Sequence, residues 1–459
     1  MNIMLTKHDD IGRMKDNSFI GRVLSLKRLF EKVKKYIFNI GWLFAGKVFR
    51  MALSMVVGIW VARYLGVENY GIFCYCMAFA LLFRPLAMFQ LEGICVREIV
   101  KNPGAKDKIL GSGFILSAIA GLLSFIVVVN LITIIRPGEQ IYCAIVSIAG
   151  FGLIFFSFEV FDYWFQAKVN ARPVVIARTI VLTITSLSKI IGIMMKESLT
   201  FFAWVNLLEF ILMGIALAAA YKLSGLEIFK LRFDLKWLKK LFIDALPLAL
   251  SGIAATIYLR IDKIMIGEIL GAHDVGIYSA ATRLAEAWYF LPICIMTSLY
   301  PAVIKILEKC PDEADKKMQQ IYKMMVLLGY LIGILTTVFA GPVVSLLFGD
   351  EYRQASKILT LYIWAGVFVN IAMGKAAYLK AMNYTGIQFI STLTGAIINI
   401  TLNIFLINRF GITGAVWATI ISYSVEAYFI LFVFPSTRKQ AEMITKAVFW
   451  PVIRFKDLY

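Results

Sequence analysis

Histidine is nearly absent from these 459 residues: there are two, His8 and His273, and both lie outside the long apolar runs. That excludes a histidine-based acid–base or nucleophilic site within those runs. The six cysteines (Cys74, Cys76, Cys95, Cys143, Cys294, Cys310) show no zinc-type spacing and sit mostly in apolar stretches, where a thiol is a small filler. No metal site is expected from them. The one near-match to a phosphate loop, Gly41-Trp42-Leu43-Phe44-Ala45-Gly46-Lys47-Val48, carries Val48 where Ser or Thr must reach Mg²⁺, and no strand precedes it. ATP binding is therefore rejected, and no cofactor is expected. Charged residues are scarce too, at 17%, and no long hydrophilic insertion interrupts the chain after its first 40 residues.

What is present is apolar. Sixty per cent hydrophobic residues and a mean hydropathy of +0.78 describe an integral membrane protein, because a soluble chain of this length could not cover so much apolar surface. Spanning a bilayer takes about 20 residues, and twelve windows of that kind stand at 40–62, 70–95, 110–135, 140–165, 174–195, 199–221, 245–270, 276–303, 323–347, 357–379, 385–407 and 412–434. The fold expected is all-α.

Counting Lys323 and Lys357 at the first positions of their windows with the flanks, 32 Lys and Arg flank one side and 6 the other. By the positive-inside rule both termini are cytoplasmic. The net charge of +18 is then a topology signal and not a nucleic-acid surface, and basic flanks can also hold loops against anionic headgroups. Residues 20–38 alternate Ile20, Val23, Leu24, Leu29, Phe30, Val33 and Ile37 with Arg22, Lys27, Arg28, Lys32, Lys34 and Lys35, the pattern of a basic amphipathic helix on the membrane surface. The charged leader is too long for a cleavable signal peptide. Residues 1–19 read as loose and 436–459 as a second, weaker interfacial segment, with Trp450 and Tyr459 as anchors.

An internal repeat divides the chain. Leu65-Gly66-Val67-Glu68-Asn69-Tyr70-Gly71-Ile72-Phe73 aligns with Leu270-Gly271-Ala272-His273-Asp274-Val275-Gly276-Ile277-Tyr278 at an offset of 205, each between the first two windows of a six-window unit. Chance likeness of two glycine-rich turns is the bland alternative. Read as a repeat, it gives a tail at 1–39, a six-helix lobe at 40–221, a linker at 222–244, a second six-helix lobe at 245–434 and a tail at 435–459. Because six is even, the two lobes share one orientation around a pseudo-twofold along the membrane normal, with a central cavity between them.

Nine cations lie inside the windows: Lys47, Arg50, Arg84, Arg178, Lys189, Arg260, Lys263, Arg283 and Lys375. Each costs at least about 2.5 kcal/mol in hydrocarbon, so each needs water, protein or an anion around it. Arg178 and Lys375 lie near helix ends and read as snorkelling residues. Lys189 is compatible with either role.

Asp262, Gly267, Leu270-Gly271, Gly276-Ile277-Tyr278, Arg283 and Tyr300-Pro301 resemble the signature of polysaccharide repeat-unit flippases, the Wzx-type branch of the multidrug/oligosaccharidyl-lipid/polysaccharide exporter superfamily. So do the run Ala62–Gly71, Phe348-Gly349-Asp350-Glu351-Tyr352 and Phe410-Gly411-Ile412-Thr413-Gly414-Ala415. The resemblance is diffuse, covers roughly 40–435, and contains no catalytic motif. It implies a twelve-helix, two-lobed alternating-access transporter that carries undecaprenyl-pyrophosphate-linked oligosaccharides across the cytoplasmic membrane of a bacterium or archaeon. It further implies O-antigen, capsule or exopolysaccharide synthesis beside polymerase and chain-length machinery.

The residues themselves accord with such a cargo. Arginine grips phosphate oxygens bidentately where lysine supplies a point charge. Lys47 and Arg50 share a helix face, as do Arg260 and Lys263, so the two pairs are expected to face each other in the cavity, with Arg84 and Arg283 extending the lining. A local ion network of Arg260, Asp262 and Lys263 is the structural alternative, and Glu286 three residues after Arg283 could neutralise it. Glu209, Asp262, Glu159 and Asp162 are candidates for ion coupling. A membrane polymerase or ligase needs a scaffolded cleft that the short outer connections do not provide. A drug or metabolite exporter of the same superfamily remains the alternative within transport, although organic cations would favour an acidic lining.

Overall fold

The computed structural model describes residues 19–309 and 311–449, with side chains from residue 41 onward except 43, 45 and 308–312. The expectations for 1–19, for the basic face of 20–38, and for Trp450 and Tyr459 fall outside that description. Among the described residues every regular element is helical. Ten helical stretches are long and apolar enough to cross a membrane, and a bent pair makes an eleventh. In chain order they are α1 (Gly46–Lys101), α2 (Pro103–Ile135), α3 (Gln140–Ala167), α4 (Arg172–Met194), α5 (Leu199–Leu223), α6 (Leu235–Ile269), α7 (Ala272–Leu307), α8 (Glu313–Phe348), α9 (Asp350–Tyr362 joined at 44° to Ala365–Ala381), α10 (Thr385–Phe410) and α11 (Ile412–Phe432).

At 1.5 Å per residue the 56 residues of α1 would measure about 84 Å, nearly three times the hydrocarbon thickness. The chain instead reverses at Gly66 (φ 71°, ψ 170°), a backbone conformation that glycine adopts without steric penalty. α1 is thus two arms and two passes. Twelve passes result, in two six-helix lobes related by a pseudo-twofold: α1–α5, then α6–α11. α6 starts well before residue 245 because Asp234 caps it, accepting from the backbone amides of Lys236 (3.0 Å) and Trp237 (3.3 Å), as an N-cap carboxylate does. Part of the segment expected as linker is therefore its first turns.

The two repeated turns meet each other. A side chain on Gly71 would run into the carbonyl of Ala272, and one on Gly276 into the carbonyl of Val67. Ala272 is Val67 displaced by 205 and Gly276 is Gly71 displaced by 205, so the contact is reciprocal, as a twofold requires. Around this hairpin end one apolar cluster joins both lobes, from Val57 and Tyr70 to Tyr278 and Tyr352. At the opposite end the core divides. One cluster, with Leu91, Phe161 and Tyr221, belongs mainly to the first lobe, and another, with Tyr322, Met325 and Leu431, to the second. The lobes are fused at the hairpin end and their cores are parted at the other, where the start of α6 reaches across, pairing Asp244 with Arg97 (2.5 Å) and Lys240 with Glu98 (2.6 Å).

Polar contacts reinforce the fused end. Tyr352 Oη donates to Ala62 O (2.7 Å). Arg136 donates to Gly267 O (2.7 Å) and Glu268 (3.1 Å), and Tyr75 also donates to Glu268. At the parted end, the helix Arg438–Val448 buries Ala441, Met443, Ile444 and Ala447, and Gln319 donates to Met443 O (2.8 Å). One face of the second expected interfacial segment is thus turned onto protein.

Candidate functional site

Eight of the nine embedded cations, all but Lys375, collect in two cavities rather than one. The central cavity, about 430 Å³, lies between the lobes and takes Lys189 and Glu209 from one, Arg260, Lys263 and Arg283 from the other. A second, of about 630 Å³, lies within the first lobe at the parted end and takes Lys47, Arg50, Arg84 and Arg178, with Glu92, Glu159 and Asp162. The expectation that Lys47–Arg50 and Arg260–Lys263 face each other across one space is corrected: the first pair opens toward α3 and α4, the second toward the lobe boundary. Arg84 stands between the groups, within electrostatic reach of Arg178 and Glu159 on one side and of Arg260 on the other.

Local backbone places Arg84 there. The second arm of α1 breaks after Leu81 and restarts as the short helix Arg84–Met88, with Pro85 near its start. Proline donates no N–H and disfavours α geometry in the residue before it. Phe89 and Gln90 then both take left-handed conformations (φ 49° each), which cost of order 1–3 kcal/mol apiece for non-glycine residues. Stacking of Phe89 on Phe242 at 5.2 Å and burial of Leu91 hold the kink. The Arg84 guanidinium lies 4.9 Å from the Phe156 ring centroid, a cation–π distance. Phe156 belongs to a 3-10 stretch, Gly152–Glu159, in the middle of α3, and that stretch also positions Glu159.

Partner assignments separate committed cations from free ones. Arg178 donates to Glu159 (2.5 Å) and Asp162 (2.9 Å), so the snorkelling expected of it is replaced by a fixed ion triad inside the cavity. Lys189 pairs with Glu209 at 3.2 Å. Arg283 donates to Tyr70 Oη (3.0 Å) and Ser54 O (2.9 Å), clamping the lobes together, while Glu286 is exposed and acts on it only at longer range. Lys375, also expected to snorkel, is fully buried and pairs with Glu426 at 2.5 Å. A lysine without access to water needs such a partner. Lys47, Arg50, Arg84, Arg260 and Lys263 have no ion pair among the described residues, and Arg50 Nη1 is buried without a hydrogen bond.

The local network of Arg260, Asp262 and Lys263 does not form. Asp262 turns into the second lobe, where its carboxylate accepts from Asn403 (2.6 Å), Tyr278 (2.8 Å) and Thr419 (2.8 Å). It is buried with no cation beside it, and Asn403 Oδ1 next to it lacks a partner. Among the described residues no group of three or more His, Cys, Asp or Glu could hold a metal ion.

Comparison with known proteins fits this arrangement. A family described as "Polysaccharide biosynthesis protein" matches residues 37–307, more than half of the chain. The chain belongs to this family. A second description, MatE, matches 247–405 of this polysaccharide biosynthesis family member. Among curated relatives it is 25% identical over 221 residues to the probable low-salt glycan biosynthesis flippase Agl15 of Haloferax volcanii, covering 47% of this chain and 46% of that one. It is 23% identical over 214 residues to a putative O-antigen transporter of Shigella flexneri, covering 46% and 50%. The chain spans about half the length of the curated relatives it matches. Among solved structures, the lipid II flippase MurJ in an inward closed conformation superposes with a TM-score of 0.68 at 17% identity, covering 92% of this chain and 93% of that one. An inward-facing multidrug resistance MATE family transporter superposes with a TM-score of 0.68 at 16% identity, covering 86% and 96%. These likenesses establish the shared fold.

Proposed function

We propose that this member of the polysaccharide biosynthesis family is a flippase for undecaprenyl-pyrophosphate-linked oligosaccharides, working by alternating access in the cytoplasmic membrane with both termini in the cytoplasm. The observation that carries this reading is the set of five unpaired cations in two cavities that Arg84 links. A mobile polyanion is the ligand that such a set attracts, since none of the five is committed to an ion pair and a cation in a membrane protein needs an anion or water around it. The 32-to-6 charge asymmetry supports a cytoplasmic parted end, and in this reading that end loads from inside. Membrane lipids surround it, and a polymerase with its chain-length partners would take over the flipped unit. The relatives named as a glycan flippase and an O-antigen transporter accord with this cargo. A drug exporter of the MATE type shares the fold, but five free cations disfavour organic cations as cargo.

Asp262 is the coupling residue in this reading. Glu209, Glu159 and Asp162 each have a cationic partner. Asp262 has oxygen-rich neighbours and the unpaired Asn403 Oδ1, a set suited to a proton or a hard monovalent cation. The test is gene deletion: surface polysaccharide should fall and lipid-linked units should accumulate in the inner leaflet. Normal polysaccharide in a deletion strain with no second transporter would refute the assignment.

A further inference from the structure

A third space opens at the parted end and differs in chemistry from both cationic cavities. It measures about 590 Å³ and lies between the lobes, with Gln90, Glu92 and Gln166 on one wall and Gln388, Phe389 and Thr392 on the other. No lysine or arginine lines it. Two of its residues, Glu92 and Gln166, also line the cationic cavity of the first lobe, so the two spaces are contiguous through them.

Its walls are mixed, with Val96, Leu248, Ala254 and Ala255 apolar and three amides among them. Gln388 Nε2 lies 3.3 Å from Thr392 Oγ1 and 3.4 Å from Glu426 Oε1, while Gln388 Oε1 is buried and has no partner. A buried acceptor without a donor is costly. Gln90 is exposed at the left-handed kink, and its amide reaches so near Gly252 that a Cβ there would lie 2.6 Å from Nε2. Gln166 Nε2 donates to Asp162 (3.2 Å). Phe389 is 42% exposed, a flat apolar surface beside these amides. Amides donate and accept together, as vicinal sugar hydroxyls require, and an aromatic face accepts the C–H face of a pyranose ring.

We infer that this vestibule is the glycan subsite, holding the sugars nearest the pyrophosphate while Arg50 and Arg84 hold the phosphates next door. The inference rests on the lipid-linked cargo proposed above. Glu92 sets the register: its carboxylate repels phosphate and accepts hydrogen bonds from sugar hydroxyls, so the headgroup lies with its charge on the arginine side and its first sugar on the amide side.

The full-length protein in nanodiscs decides the matter by binding two probes: bare undecaprenyl pyrophosphate, and the glycosylated lipid extracted from the source cells. Wild type should bind the glycosylated lipid about tenfold or more tightly than the bare one. Gln388→Ala combined with Phe389→Ala should lose that preference yet bind the bare lipid as wild type does, which also shows the variant to be folded. Gln90→Ala, at an exposed position on the opposite wall, should weaken the same preference and decides the question if the double variant fails to fold. Arg50→Ala with Arg84→Ala should weaken both probes. Equal binding of both probes by wild type, or a preference retained in the vestibule variants, overturns the glycan subsite and leaves the flippase reading standing. No binding of either probe by wild type overturns the flippase reading itself.

Discussion

Single residues in this protein divide into cations already satisfied and cations waiting for a partner. Loss of Arg50, Arg84 or Arg260 to alanine should each cut complementation of a deletion strain about tenfold or more, and the triple variant should abolish it, as read by surface polysaccharide. Full rescue by the triple variant would remove the cationic path. Lysine at these positions should restore only part of the activity, because it lacks the bidentate fork. Lys375 belongs to the other class. Lys375→Met should destabilise the protein by about 3–5 kcal/mol, since it strands Glu426, whereas Lys375→Met with Glu426→Gln should recover most of that in a thermal unfolding scan. Asp262→Asn should leave lipid binding intact and remove the dependence of flipping on the ion gradient; unchanged dependence in proteoliposomes would move coupling elsewhere. Sequence spacing located the embedded cations but could not say which ones were paired. Glu426 lies 51 residues from Lys375, and Tyr70 lies 213 residues from Arg283, so those pairings exist only once the helices are packed.

Individual helices carry the devices that aim those side chains. Periodicity and length made the passes legible, because lipid leaves a helix no other way to satisfy its backbone. The break around Arg84 was less so: Pro85 signalled a disruption, but the successive left-handed residues Phe89 and Gln90 depend on tertiary packing against α6. Likewise the 3-10 stretch in α3 follows from close approach to α2, where a side chain on Gly121 would meet Leu153 O. The start of α6 gives a test by pH. Lys108, 2.9 Å away, holds the Asp234 carboxyl below its ordinary value, and the amides it caps act in the same direction. A depressed folded-state value means that the cap contributes stability above the unfolded value, about 3.9, and loses it as pH falls through the folded one. Asp234→Ala should therefore destabilise the start of α6 at neutral pH, as hydrogen exchange would report, and the difference from wild type should shrink in acid.

The molecule as a whole is a pair of lobes hinged by their shared core. The repeat and the parity of the passes made that architecture readable from sequence, whereas the separation of the cations into two cavities was not, since it depends on Lys47 and Arg50 facing α3 and α4 inside the first lobe. Alternating access requires the hairpin end to open. Gly71→Leu or Gly276→Leu should therefore wedge that end apart and block flipping by preventing its closure, at a cost of about 1–3 kcal/mol to the closed form. Activity retained in both variants, measured in proteoliposomes, would place the moving seam elsewhere.

That seam also constrains how the chain can change over time. Elsewhere the halves differ: at the 205 offset Arg50 falls on Ala255 and Arg84 on Tyr289. At the turns Gly71 and Gly276 each face a peptide carbonyl of the opposite half. A side chain that enlarges can be accommodated when its neighbour shrinks, but a carbonyl has no smaller version of itself. Glycine at 71 and at 276 therefore has no suppressor in the facing residue.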